Sequence, residues 1–110
     1  MQEGVIIVDV DKICEMLMLD RESVISLLKK FAVMLPDMSK EIKDAIATDD
    51  LKLVKALGHK LKGTVGNLRI DGLYKVADGI NKMQSISEFG ELEARLDACI
   101  ASIISKINTL

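Results

Sequence analysis

The 110-residue sequence is poor in aromatic residues, which make up 3% of it, and it contains no Trp. Its 49% hydrophobic content must therefore come mainly from Leu, Ile, Val, Ala and Met. That palette argues against a β-sandwich, whose faces draw on aromatic and β-branched side chains, and for packed helices. Proline occurs once, so punctuation by breakers is sparse. The two cysteines, Cys14 and Cys99, fall in apolar helical patterns and form no CxxC pair. They read as buried thiols in a reducing cytoplasm. His59 is the only histidine, so a zinc site is not expected, nor any other metal or cofactor. Neither sign of charge dominates: 15 basic residues face 17 acidic ones for a net charge of −2, which points away from nucleic acid. Apolar runs such as Val5 to Val8 and Ala98 to Ala101 fall far short of the roughly 20 residues that span a bilayer. No charged and then apolar leader opens the chain. Direct membrane contact is not expected, and the predicted location is cytoplasmic.

What the sequence does contain is helical periodicity over a length that suits one domain, residues 1–110. Residues 1–8 read as an irregular or extended lead-in. Val5 to Val8 has strand propensity, but a lone strand has no partner, so it is expected to pack along the helices. A short first helix fits 10–19, with Ile13, Met16 and Leu17 on one face. Asp20 caps a second helix, whose apolar positions run from Val24 through Leu28, Phe31, Leu35, Met38 and Ile42 to Ile46. Pro36 lies inside it, and a kink or break is predicted there. Thr48-Asp49-Asp50 marks a stop and restart, with Asp49 as a suitable N-cap. The third helix runs from about Asp50 to Asn67, and Arg69-Ile70-Asp71-Gly72 makes a tight corner. A fourth helix carries Leu73, Val76, Ala77, Ile80 and Met83. Ser85 and Glu88 have the spacing of a capping box, and a last helix carries Leu92, Leu96, Cys99, Ile100, Ile103, Ile104 and Ile107. The expected architecture is all-α: an up-down-up-down four-helix bundle with a short additional N-terminal helix.

The third helix carries the feature that a bland bundle does not explain. At 100° per residue, Val54, Leu57, Leu61, Val65 and Leu68 fall within an arc of roughly 80°. His59 lies nearly opposite, facing water. Lys55, Lys62, Gly63 and Gly66 share its face, and Gly58 directly precedes it. Three glycines inside one helix cost roughly 2–3 kcal/mol relative to alanine, a large share of the 5–15 kcal/mol that holds a small domain together. Access accounts for them: without side-chain bulk, another protein can approach the imidazole closely. Lys52, Lys55, Lys60 and Lys62 supply positive charge that can hold phosphate oxygens.

Residues His59-Lys60-Leu61-Lys62-Gly63-Thr64 resemble the H-x-L-K-G-[ST/A] signature of histidine phosphotransfer (HPt) domains. Asn67-Leu68 is similar to the N-L pair that follows in the family, and Leu73, Ala77 and Ile80 stand where it places small or aliphatic residues. Upstream, Leu19-Asp20 and the Leu27-Leu28-Phe31 helix resemble its opening. The similarity covers roughly residues 8–107. Gly58 replaces the usual alanine, Arg69 and Ile70 replace a usual glycine and alanine, and Asn81 replaces a frequent glutamate. The resemblance implies phosphorelay signalling: His59 accepts a phosphoryl group from a receiver-domain aspartate or a kinase and passes it to another receiver. Lys62 would contact the phosphoryl oxygens, Gly63 would clear the approach, and Lys55 and Gly66 would flank it; Gly58 is counted with them as a binding residue. The resemblance further implies a monomeric phosphocarrier without kinase activity of its own. Its partners would be response-regulator receiver domains, sensor histidine kinases or both, with any metal ion held by the receiver. Met16, Met18, Val33 and Met34 are candidates for an apolar docking patch. The competing reading is a helical module that docks on and regulates a receiver or kinase without being phosphorylated.

Overall fold

Aspartates precede the first three helices. In the computed structural model, which describes residues 6–110, α1 spans Val10–Leu17, and the Asp9 carboxylate accepts the Lys12 amide at 3.1 Å. Asp20, in extended conformation, precedes α2, Arg21–Ala47. Asp50 accepts the Leu53 amide at 3.1 Å and so opens α3, Leu51–Asn67. Each carboxylate sits where the free amides and the positive end of the helix dipole favour it. The shorter α4, Asp71–Asn81, follows a three-residue corner, and α5 covers Phe89–Asn108.

The long helices close a ring: α2 packs on α3, α3 on α4, α4 on α5 and α5 back on α2, while α1 lies against α2. With such short connections, consecutive packed helices run antiparallel, as in an up-and-down bundle. The α3–α4 contact is the most extensive of the ring. The 27 residues of α2 amount to about 40 Å of helix, which accounts for the 42 Å long axis of the molecule. Lys43 of α2 holds Asp97 of α5 at 2.8 Å across the outside of the bundle. The predicted stripes are the core: Leu28, Leu35, Ile42, Val54, Leu61, Val65, Leu73, Ile80, Leu96 and Ile103 are fully or almost fully buried. Ile6 of the lead-in is buried as well, without strand structure at residues 6–9. Val5 and the residues before it lie outside the described part of the chain.

Several local expectations need correction. Of the kink or break expected at Pro36, the break is absent: α2 is helical throughout Arg21–Ala47. The Pro36 ring lies on the exposed side. Burial of Phe31, Leu35, Met38 and Ile42 holds the turns on either side. The first helix ends at Leu17, two residues before the predicted limit. Met16, placed on its inner face by pattern, is exposed. Asp49 is not the N-cap of α3. It adopts a left-handed conformation, φ 56°, and ends α2, its amide donating to the Ile46 carbonyl at 3.0 Å while the Asp50 amide reaches Ala45 at 3.0 Å. Ser85 and Glu88 do cap reciprocally, but one residue out of register. The Ser85 hydroxyl accepts the Ser87 amide and the Glu88 carboxylate accepts the Gln84 amide, because a 3₁₀ turn over Ile86–Glu88 precedes α5. Ile70 and Phe89, outside the predicted stripes, are also core residues.

Met18, Asp49 and Arg69 all have φ 56°, and each stands just past the end of a helix, where glycine is the usual occupant. Arg69 follows α3 and its amide donates to Gly66 at 3.3 Å. An L-residue is strained there by about 1–2 kcal/mol, offset in part by the greater unfolded-state entropy of glycine. Arg69→Gly is therefore expected to stabilise the protein by about 0.5–1 kcal/mol, read as a higher urea midpoint with unchanged slope.

Candidate functional site

His59 lies midway along α3 with its side chain exposed, and Lys60 and Gly63 are exposed beside it. Lys55, Lys62 and Gly66 are half-buried along the seam with α4. Successive positions of α3 thus divide around the histidine. Thr64 and Asn67 turn toward α2, while Lys55, Gly58 and Lys62 turn toward α4.

The glycines do not share one role. A Cβ on Gly63 would meet nothing within 4 Å, so this position does leave open space beside the histidine. Gly58 is buried, and a Cβ there would fall 2.7 Å from the Asn81 amide nitrogen and 2.8 Å from Ile80 Cγ2. It is absent bulk that lets the α4 backbone close on α3, not a clearing on the His59 face. The expectation that Gly58 is a binding residue giving access to His59 is corrected accordingly. On Gly66 a Cβ would touch the Tyr74 ring at 3.4 Å, an ordinary contact.

Close packing at Gly58 brings α4 side chains to the lysines of α3. Lys62 Nζ donates to Asp78 Oδ1 at 3.1 Å and to Asn81 Oδ1 at 3.4 Å. The Asn81 amide donates in turn to the Lys55 carbonyl at 3.0 Å. The second Asp78 oxygen is held by Lys82, one turn along α4, at 2.9 Å. The Lys82 ammonium and then the Lys62 ammonium hold the Asp78 carboxyl below the usual carboxylate range, and Asp78 raises Lys82. Sequence reasoning noted Asn81 only as a departure and missed Asp78. The Asp78-Lys82 spacing of four was the one available signal, but it does not reveal a contact across to α3.

On the α2 side of α3 runs an apolar groove of about 410 Å³ lined by Leu17, Leu27, Phe31 and Met34 below and by Thr64 and Asn67 above, with Lys30 at its rim. Met18, just past the end of α1, and Val33 of α2 are 90% and 74% exposed. All four candidates for the apolar patch, Met16, Met18, Val33 and Met34, lie at the surface. Among the described residues, no group of three or more His, Cys, Asp or Glu side chains is placed to hold a metal ion, and no helix is long and apolar enough to cross a membrane.

The sequence profile of the Hpt domain family matches residues 26–106. The chain belongs to the Hpt domain family. That span takes in most of α2, all of α3 and α4 and nearly all of α5, and with them His59. Comparison with curated proteins and with solved structures gives no match. Membership makes histidine phosphotransfer in a two-component phosphorelay the function class of this Hpt domain, with receiver domains and kinases as the class of partner.

The glycine geometry separates two substitutions of identical chemistry. Gly58→Ala is expected to destabilise by about 1–2 kcal/mol, since overpacking against backbone outweighs the gain in helix propensity. Gly63→Ala, in open space, is expected to stabilise by about 0.5–1 kcal/mol. Urea unfolding of the two variants tests both signs. The Asp78 ion pairs add a pH signature. A carboxyl lowered in the folded state contributes stability that is complete above its unfolded value and is lost as pH falls through the folded one. The stability difference between wild type and Asp78→Asn is expected to close as pH drops below about 4, in denaturation curves taken at stepped pH.

Proposed function

We propose that His59 is the phosphoacceptor of this Hpt domain and that it shuttles a phosphoryl group between receiver domains, or from a kinase to a receiver. The observation that carries this reading is the position of the chain's single histidine. It is solvent-exposed at the centre of the helix that the family signature occupies, with open space at Gly63 and ammonium groups along the adjoining seam. An imidazole so placed can reach an acidic pocket on another protein without any change in the bundle core.

In the proposed transfer, the neutral ring attacks through Nε2. A P–N bond forms as the P–O bond to the receiver's aspartate breaks, and the carboxylate leaves with the electron pair. Delivery to a second receiver reverses these steps on a new carboxylate. Lys62, and more distantly Lys55, offset the charge on the phosphoryl oxygens, while Gly63 and Gly66 keep the approach low. The domain acts as a carrier: it contributes a nucleophile and a leaving group, and a kinase activity is not part of the proposal. The groove between α2 and α3, with Leu27 and Met34 along it and Met16, Met18 and Val33 beyond, would seat the apolar margin of the receiver whose acidic pocket faces the lysines. Charge complementarity of this kind chiefly speeds and orients encounter. The proposed setting is a cytoplasmic monomer.

His59→Gln tests the assignment. As a surface substitution it should change stability by less than about 0.5 kcal/mol, yet it should take no label when incubated with phosphorylated receiver domains that label the wild type at a base-stable, acid-labile site. Labelling of the variant equal to wild type would overturn the assignment. Receiver binding that persists without any transfer to the wild type would favour the purely regulatory module.

A further inference from the structure

We propose that Asp78 is a positioning residue that competes with the phosphoryl group on His59 for the Lys62 ammonium and so loosens this domain's hold on that group. The inference rests on the reading of His59 and Lys62 given above. A lysine meant only to grip phosphate would gain from having no other anionic partner. Here the ammonium is already engaged by a carboxylate at 3.1 Å, on a seam where both side chains are about three-quarters shielded from solvent. Screening by salt is weaker at such a site than at the open surface.

Asp78 is also not free to swing away. Lys82 holds its other oxygen at 2.9 Å, and α4 itself is pinned to α3 by the Asn81 bond to the Lys55 carbonyl and by contact at Gly58. An ammonium has three donors. Asp78 and Asn81 take two of them, which leaves one for a phosphoryl oxygen. A phosphoryl group arriving at His59 therefore meets a cation whose charge is shared, not one held in reserve for it. Sharing suits a carrier, since a group bound too firmly at the histidine would not move on to the next aspartate. Lys82 moderates the competition from the opposite side by drawing Asp78 toward itself.

The test uses phosphoramidate as donor. The ring nitrogen of His59 forms a bond to phosphorus, the P–N bond to ammonia breaks, and ammonia leaves. The second ionisation of the resulting phosphoryl group is then followed by ³¹P NMR against pH. The other titratable groups of the helix pair, Lys52, Lys55, Lys60 and Arg69 on the α3 side and Asp71, Tyr74 and Lys75 on α4, are the same in every variant. Asp78→Asn keeps the shape and removes the charge. It should lower the ionisation midpoint by about half a pH unit, a change of about threefold in the protonation constant. In a Lys62→Met background the same substitution should move the midpoint less than half as far. Lys82→Met, on a side chain 72% exposed, should raise the midpoint, and it decides the matter alone if Asp78→Asn does not fold. An unchanged or raised midpoint in Asp78→Asn, an undiminished shift without Lys62, or no rise in Lys82→Met would overturn the role of Asp78. Failure of the wild type to label at His59 would overturn the phosphoacceptor assignment instead.

Discussion

The site depends on the approach of α4 to α3 at Gly58. With a side chain at that position the two backbones would have to separate, because a Cβ would already lie within 3 Å of the Asn81 nitrogen. Separation would withdraw Asp78 and Asn81 from Lys62 and break the Asn81 bond to the Lys55 carbonyl, all of which lie between 3.0 and 3.4 Å. At 11 residues α4 is the shortest helix of the ring. It is held less by length than by this one intimate contact, reinforced on its far side by Gly79, where a Cβ would come within 3.0 Å of a Leu92 methyl.

Glycine is used in this chain in the reverse of its common way. Every glycine among the described residues lies inside a helix, and none has a positive φ. The left-handed turns that end the first three helices are made by Met18, Asp49 and Arg69. Both halves of the inversion affect what a sequence can disclose. Reading glycine as a mark of exposure places Gly58 on the solvent face beside His59, when it belongs to the helix seam. Stop signals that rely on glycine find nothing at residues 18, 49 and 69, so the limit of α1 and the N-cap of α3 were each misplaced by one or two residues.

The stripes of the long helices, by contrast, were largely legible. Apolar side chains repeating at three and four must share a face, and burial of that face is what makes a marginal helix persist. That is also why Pro36 failed as a boundary signal: the loss of one hydrogen bond is small beside the burial of Leu35 and Met38. The outward direction of His59 followed from the same periodicity, since its position relative to Leu57 and Leu61 is a matter of helix geometry alone. Asp78 was not legible. It sits sixteen residues from Lys62, and pairing between helices depends on how each is rotated about its axis, which only the packed structure determines.

The two edges of α3 are built from different materials. Toward α2, Thr64 and Asn67 look over an apolar groove, with Leu27 and Met34 on its far wall. Toward α4, Lys55 and Lys62 meet a carboxylate and an amide. His59 stands on the ridge between, touching neither system as part of its own support. On the proposed reading this separates two properties that a relay must set independently. The apolar edge governs which surface can settle against the helix, because buried area and shape are decided there. The charged edge governs how firmly a phosphoryl group is held once it arrives, because electrostatic terms of this size reach only across the seam where they are partly shielded. A change of partner can then proceed through residues such as Met34 without altering the chemistry at the histidine. A change in phosphoryl retention can proceed through α4 without altering what docks.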